Sequence, residues 1–144
     1  MALLRIERTS ALPAEVAFAR ITDWPGHSEH IPLTTVYVTS SGPAGVGTTF
    51  VGRTGLGPLG FRDPMTVTEW APPESGRPGR CRLEKTGSIV LGWAEIEVYA
   101  EGDGSRVIWR EEARLRGTPL FLSGLEKAAG EWMFGRAIDR MLAD

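Results

Sequence analysis

This 144-residue sequence contains no asparagine and no glutamine, and it has only one cysteine and two histidines. A single cysteine excludes an internal disulfide framework, which favours a reducing compartment such as the cytoplasm. Arginine outnumbers lysine 14 to 2. Because asparagine and lysine have A-rich codons, the composition indicates a GC-rich bacterial genome rather than a functional demand.

Long apolar runs and a large excess of one charge are absent as well. No stretch is long enough to cross a bilayer, and Arg5, Glu7 and Arg8 stand where a signal peptide would need its apolar region. The formal net charge of −2 gives no reason to expect nucleic acid as a partner. We therefore expect one cytoplasmic domain over residues 1–144, without membrane insertion, as a monomer or homodimer.

The common cofactor and nucleophile motifs are missing too. The sequence has no P-loop, no G-x-S-x-G elbow and no C-x-x-C pair. The segment GLGPLG, residues 55–60, matches G-x-G-x-x-G literally, but that motif binds phosphate only where it opens a helix. Here Pro58 interrupts it and an alternating, strand-like segment follows. We expect a loop between strands and no cofactor.

The periodicity of the sequence predicts the order of the elements. Residues 3–10 alternate like a strand, residues 12–22 have helical spacing, and residues 24–32 fit a second short helix between prolines. Period-two segments then predict six strands, at residues 34–40, 47–53, 61–71, 80–87, 89–100 and 105–116. The turn EGDGS, residues 101–105, is the clearest hairpin signal.

The last segment, residues 118–144, predicts one long helix. Thr118 can cap it and Pro119 suits its first turn. Its predicted buried face carries Leu122, Leu125, Ala129, Trp132 and Arg136. Gly124, Gly130 and Gly135 would each cost about 1 kcal/mol relative to alanine, so they indicate a close approach or a bend.

Together these elements predict an α+β fold. A curved antiparallel sheet of about seven strands would wrap around the long C-terminal helix, with two short helices after the first strand. An incompletely wrapped helix leaves a cavity between the helix and the sheet.

Two carboxylates are predicted to face that cavity. In residues 105–116 the apolar face of the strand includes Trp109 and Glu111, so Glu111 points inward. In residues 61–71 Asp63 shares a face with Met65, Val67 and Glu69. A buried carboxylate needs a partner or becomes neutral, so each is a structural hydrogen bonder or an acid in a pocket.

The segment TDWPGHSEHIPLT brings Asp23, His27 and His30 close together and raises the question of a metal site. Two histidines and a carboxylate can bind iron or zinc. The simpler interpretation is a helix cap with two histidines near a helix end, because three ligand types often fall close together by chance. We expect no metal, and we expect Trp24 and His30 to face the cavity as parts of a helical gate.

The order of elements and three segments resemble the START-like (SRPBCC) superfamily of polyketide cyclase/dehydrase-like proteins. The segments are ALPAEVAFARITDWPGHSEHIPLT, DPMTVTEWAPP and RVIWREE. The resemblance extends over essentially the whole chain. It implies a helix-grip fold with a deep, mostly apolar cavity, no obligatory metal or nucleotide, and a hydrophobic ligand or a polyketide chain as its occupant. It supplies no shared catalytic set.

These arguments give a set of candidate site residues. The candidates for proton transfer are Glu111, Asp63 and His30. The predicted ligand-binding residues are Trp24, His30, Phe50, Met65, Val67, Leu83, Trp109, Glu111, Leu125, Ala129 and Trp132.

Three functions remain open at this point. The first is binding of a small hydrophobic or aromatic molecule, such as a lipid, polyketide or isoprenoid. The second is a cyclase or dehydratase that uses acid–base residues in the cavity. The third is a non-catalytic interaction or stress-response module, in which the outer face of the sheet matters more than the interior.

Overall fold

The computed structural model describes residues 2–117 and 123–143, without the side chains of Ala2, Leu59, Ser123, Leu125 and Glu126. The elements are β1 (Ala2–Ser10), α1 (Ala14–Ile21), a 3₁₀ helix (Pro25–Glu29), β2 (Thr34–Val38), β3 (Thr49–Thr54), a second 3₁₀ helix (Gly57–Leu59), β4 (Phe61–Ala71), β5 (Gly79–Lys85), β6 (Val90–Glu101), β7 (Gly104–Leu115) and α2 (Ser123–Met141).

The seven strands form one antiparallel sheet in the order β1-β7-β6-β5-β4-β3-β2. Each strand from β2 to β6 pairs with the next strand in the chain, and β1 pairs with β7 and forms one edge of the sheet. Helix α2 packs on β1 from the concave side. The predicted α+β helix-grip architecture is confirmed, including the two short helices after β1.

Two glycines shape the long β6–β7 ribbon. Gly102 has φ 60° in the two-residue turn between Glu101 and Gly104, which confirms the predicted hairpin. Gly92 has φ 133°, and a Cβ there would lie 1.6 Å from the carbonyl oxygen of Glu112 on β7. Only glycine fits at this close approach between β6 and β7.

A β-bulge in β4 changes which residues face the core. Val67 pairs with Leu83, but the register then shifts so that Glu69 pairs with Arg82 and Trp70 with Cys81. Because of the extra residue, Trp70 lies on the same face of the sheet as the buried Cys81, and Glu69 is exposed. The prediction that Glu69 shares the inward face of Asp63 was therefore wrong.

Helix α2 also differs from its predicted phase. Its inward face carries Gly130, Met133, Phe134, Ala137, Ile138 and Met141. Trp132 and Arg136 lie on the outside, with the guanidinium of Arg136 5.3 Å from the indole of Trp132. Gly130 explains this phase, because a Cβ there would lie 3.1 Å from Leu4 of β1. The predicted cap and first turn, Thr118 and Pro119, and the predicted face residue Leu122 lie outside the described residues.

The interior has a solid part and a hollow part. Helix α1 and the last turns of α2 fill the solid part, where Ala17, Ile21, Ala137 and Ile138 are at most 2% exposed. In the hollow part, the facing positions carry small residues: Gly52, Ala113, Ala129 and Gly130. Small side chains on both the sheet and the helix leave the space between them unfilled.

None of the helices within residues 2–117 and 123–143 combines the length and the apolar character that crossing a membrane requires.

Candidate functional site

A cavity of about 350 Å³ lies between the concave face of the sheet and the middle of α2. This volume is within the range of small-molecule sites, roughly 300–1,000 Å³. The walls come from the 3₁₀ helix at Pro25–Glu29, from strands β2 to β7 and from α2. Most lining side chains are apolar or aromatic, and three of the charged ones form one cluster.

That cluster consists of Asp63 on β4, Lys85 on β5 and Glu111 on β7. Lys85 Nζ donates to Asp63 Oδ2 at 2.7 Å and lies 4.0 Å from Glu111 Oε2. The side chains of Lys85 and Glu111 are only 4% and 6% exposed. Glu111 Oε1 also accepts a hydrogen bond from Trp109 Nε1 at 3.3 Å. The prediction that Asp63 and Glu111 face inward is confirmed, and Lys85 joins them.

Burial and charge compete in this cluster. Burial raises the pKa of Asp63, and the ammonium of Lys85 offsets only part of that rise. Burial alone would lower the pKa of Lys85, but the carboxylates of Glu111 and Asp63 outweigh it and raise its pKa above the usual value. Lys85 is therefore a fixed cation at neutral pH, and a cation is not a nucleophile.

An aromatic wall stands beside the cluster. Trp24 stacks on Phe50 with 4.5 Å between ring centroids, and Trp109 stacks on Phe134 at 6.2 Å. The ring of His27 lies between the two tryptophans, 5.5 Å from Trp24 and 6.1 Å from Trp109. These rings give the cavity flat apolar surfaces.

His27, rather than His30, is the histidine that lines the cavity. The Nε2–H of His27 donates to the carbonyl oxygen of Ile21 at 2.7 Å, because a carbonyl can only accept. In the neutral ring this leaves Nδ1 as the basic nitrogen. Burial lowers the pKa of His27, although the bond to Ile21 and the charge of Asp23 oppose the shift. His30 is half-buried and lines no part of the cavity, so its predicted position was wrong.

Three residues of the cavity wall each have a buried polar atom without a hydrogen-bond partner among the described residues: Trp24 Nε1 and Arg114 Nε, which are donors, and Asp63 Oδ1, an acceptor. Buried polar atoms are normally satisfied, so these three lack a partner that the described residues do not supply.

The remaining predicted residues divide by location. The structure places Trp24, Phe50, Met65, Leu83, Trp109, Glu111 and Ala129 on the cavity wall. Two predictions were wrong: Val67 is buried in the solid core beyond the cavity, and Trp132 is 65% exposed on the outer face of α2. The side chain of Leu125 lies outside the described part of the chain.

Sequence reasoning missed Lys85 and His27. The signal for Lys85 was present, because Cys81, Leu83 and Lys85 alternate along β5 and the first two are buried. For His27 no periodic signal exists, since a five-residue 3₁₀ helix is too short to show one.

A second concavity, of about 530 Å³, lies on the outer surface between α1, the β2–β3 loop and the β4–β5 loop. Although it is larger, its charged lining residues are only Glu15 and Asp23, both exposed. The carboxylate–lysine cluster and the unpartnered Asp63 Oδ1 belong to the inner cavity, which we take as the candidate site. Within the described residues, no group of three or more His, Cys, Asp or Glu side chains could hold a metal ion.

Solved structures resemble this fold at low sequence identity. The chain resembles an aromatase/cyclase from Streptomyces sp. R1128 (TM-score 0.65, 14% identity, 97% of this chain and 90% of that one). It also resembles a STAR-related lipid transfer protein from Xanthomonas axonopodis (TM-score 0.69, 10% identity, 94% and 82%). A protein from Thermus thermophilus gives a TM-score of 0.70 at 17% identity, over 97% and 93% of the two chains. These identities show the shared fold alone.

No curated protein matches the sequence. The family described as "Polyketide cyclase / dehydrase and lipid transport" matches it over residues 1–144, from one end of the chain to the other. The seven-stranded sheet, the helix it grips and the cavity between them agree with that match: this chain belongs to the polyketide cyclase/dehydrase and lipid transport family.

Proposed function

We propose that this protein binds a small hydrophobic or aromatic molecule in the cavity between the sheet and α2. The observation that carries the proposal is the composition of the wall: stacked aromatic rings and aliphatic side chains surround the buried cluster of Asp63, Lys85 and Glu111 and a few other polar groups. Binding sites for small molecules combine apolar walls with a few polar groups in this way, because the walls supply affinity and the polar groups fix orientation. Membership of a family that includes lipid transport supports the same function.

The polar atoms limit what the occupant can be. Trp24 Nε1 offers a hydrogen to an acceptor, and Asp63 Oδ1 accepts one from a donor. An occupant with an oxygen function at its edge satisfies these atoms, whereas a pure hydrocarbon leaves them unpaired. We therefore expect tighter binding of a hydroxylated or carbonyl-bearing ring system than of an alkane of equal size.

Filling the cavity tests the binding function directly. Ala113→Phe places a ring in the hollow part of the interior, and Ala128→Phe places the same ring on the exposed side of α2 as a control. Titration with the apolar fluorophore phenylnaphthylamine should show binding to the parent protein and to Ala128→Phe, and at least tenfold weaker binding to Ala113→Phe. Equal binding by all three proteins would place the probe elsewhere and contradict the proposal. Native mass spectrometry of protein purified from its own host would identify a retained ligand.

A second function, cyclisation or dehydration of a polyketide-like chain, is favoured by one observation. Asp63 and Glu111 flank the same ammonium in the cavity, and His27 adds a neutral imidazole to the wall. Such groups can transfer protons. Glu111→Gln should then lower turnover of a linear poly-β-keto substrate and leave probe affinity and unfolding free energy nearly unchanged. A parallel loss of stability would assign Glu111 a structural role.

We further propose that the protein acts in the bacterial cytoplasm as a monomer or homodimer, without nucleic acid as a partner. The lone cysteine supports the compartment: Cys81 is buried in β5, and burial together with the charge of Glu69 raises the pKa of its thiol to about 12. Such a thiol does not form disulfides readily. Cell fractionation and light scattering of the purified protein test these two statements.

A further inference from the structure

Four chain segments meet at the end of the sheet where the cavity reaches the surface. We call residues 31–34, 53–62, 86–91 and 113–117 the strand-end rim. Thr34 pairs with Thr54, Thr54 with Phe61, and Val90 with Leu115, so the register brings the segments to one edge. Leu115 and Ala129 are exposed, and both also line the cavity. The cavity therefore opens here, next to the rim.

The rim has an unbalanced charge. It carries four arginines, Arg53, Arg62, Arg114 and Arg116, and no aspartate or glutamate, in a chain whose formal net charge is −2. None of the four forms an ion pair with a described residue, and Arg53 donates instead to the carbonyl oxygen of Gly57. The strand-end rim is therefore cationic, although the net charge of the whole chain is slightly negative.

Acidic side chains near the rim offset only part of this charge. Asp63 is paired with Lys85, and Glu112, which accepts a hydrogen bond from the neutral indole of Trp93, keeps its single negative charge. Glu29, in the first 3₁₀ helix, is exposed and is the nearest acidic residue before the first rim segment. The opposite end of the sheet carries both signs in equal number: Glu74, Glu101 and Asp103 with Arg77, Arg80 and Arg106, of which Arg106 pairs with Glu101. The rim therefore has an excess of positive charge that the opposite end lacks.

The same rim exposes large aliphatic side chains. Leu33, Leu56, Ile89 and Leu115 are 63%, 68%, 45% and 38% exposed, one on each segment. A single exposed aliphatic residue is ordinary. Four of them around one opening, with arginines between them, form a surface that is both apolar and cationic. Leu33 has φ 57°, a conformation that bulky residues rarely adopt, which suits a side chain kept on the surface for function.

We infer that the strand-end rim docks on an anionic lipid bilayer, with the exposed Arg62 and Arg116 on the headgroups and the exposed aliphatic side chains in the interface. Anionic headgroups attract each nearby arginine, and aliphatic side chains gain by entering the apolar boundary. The apolar residues are aliphatic and lie on separate chain segments, whereas a protein partner is usually held by clustered aromatic anchors. Docking would place the cavity opening against the bilayer, so that an apolar occupant passes between the two without crossing water.

Vesicle binding tests this inference with variants on exposed side chains. Sedimentation with vesicles of phosphatidylglycerol and phosphatidylcholine in equal parts is compared with phosphatidylcholine alone. Leu56→Ser removes one of the exposed aliphatic side chains of the rim. Its control is Val46→Ser, because Val46 is 69% exposed at the opposite end of the sheet. Arg62→Gln with Arg116→Gln removes two charges, and its control is Arg77→Gln, an exposed arginine at the opposite end.

The parent protein should bind the anionic vesicles and release them as salt rises. Leu56→Ser and the double arginine variant should each bind about tenfold more weakly, while both controls bind like the parent. Absence of binding to anionic vesicles, or equal losses in the controls, would overturn the inference. Salt-sensitive binding that Leu56→Ser leaves unchanged would also overturn it and would indicate a surface for an acidic protein. Because phenylnaphthylamine binding is measured without vesicles, failure of docking and failure of the proposed ligand site are separate results.

Discussion

Lys85 Nζ on β5 lies 2.7 Å from Asp63 Oδ2 on β4, inside a cavity that is otherwise mostly apolar. The side chains of Lys85 and Asp63 are 4% and 17% exposed, and the carboxylate of Glu111 lies 4.0 Å from the same ammonium. Burying these charges costs free energy that pairing repays only in part. A cluster that gains little stability but lines a cavity is better explained by what it offers an occupant.

Lys85→Met should expose how far the cluster depends on its cation. The substitution leaves two buried carboxylates without their counter-ion, so we expect a loss of about 3–5 kcal/mol in unfolding free energy, measured with urea near neutral pH. The matched control is Arg82→Met, which removes a partly exposed cation from the outer face of the same strand and should cost about 1 kcal/mol or less. Equal losses in the two variants would mean that Lys85 is not needed to balance Asp63 and Glu111.

The pH dependence of stability should report His27. The pKa of His27 is about 6.5 in the unfolded chain and lower in the folded protein. At a pH between these two pKa values, the unfolded chain binds a proton that the folded protein does not. Stability should therefore fall as the pH drops below 6.5, with a slope of up to about 1.4 kcal/mol per pH unit. His27→Gln should remove this part of the fall, and His30→Gln should keep it. A His30 variant that flattens the profile instead would contradict the assignment.

The phase of α2 can be tested at its glycines. Gly130→Val should destabilise the protein by about 1–3 kcal/mol, because even a Cβ there lies 3.1 Å from Leu4. Gly124→Val should be nearly neutral, since nothing lies within 4 Å of the corresponding Cβ. Thermal and urea unfolding measure both. If Gly124 proved the more sensitive position, the inward face of α2 would be wrong.

Gly92 should be the least replaceable glycine of the sheet. Gly92→Ala places a methyl group on the carbonyl of Glu112, so we expect a loss of at least about 3 kcal/mol or failure to fold. Gly42→Ala is the control: Gly42 has φ 88° but open space around it, so only backbone strain of about 1 kcal/mol applies. Circular dichroism during urea titration distinguishes the two outcomes. Equal effects would mean that β6 does not need the close approach at Gly92.

The strands were predictable because their signal is local. Side chains alternate across a strand, so the inward direction of Trp109 and Glu111 followed from the apolar positions around them. The same reasoning correctly placed Asp63 and Met65 on one face of β4. It failed at Glu69, because the bulge lies between Val67 and Glu69. A bulge depends on the partner strand, which the alternation within one strand does not contain.

Helix α2 and the 3₁₀ helix at Pro25–Glu29 were less predictable for a different reason. An amphipathic pattern with three glycines and an exposed tryptophan allows more than one buried face for α2. The contact between Gly130 and Leu4 selects one of them, and those residues are 126 positions apart in the sequence. His27 likewise reaches the cavity only because its ring is fixed by the carbonyl of Ile21, at the end of α1.

The sequence by itself determined the order of the elements, the α+β class, the family resemblance and the inward direction of two carboxylates, since each depends on neighbours along the chain. Tertiary structure decided the rest. Lys85 contacts both Asp63 and Glu111, and His27 rather than His30 lines the cavity. Trp132 lies on the outer face of α2, and four arginines lie at one end of the sheet. These features depend on which strands and helices meet, and packing and strand register fix those meetings only when the whole chain has folded.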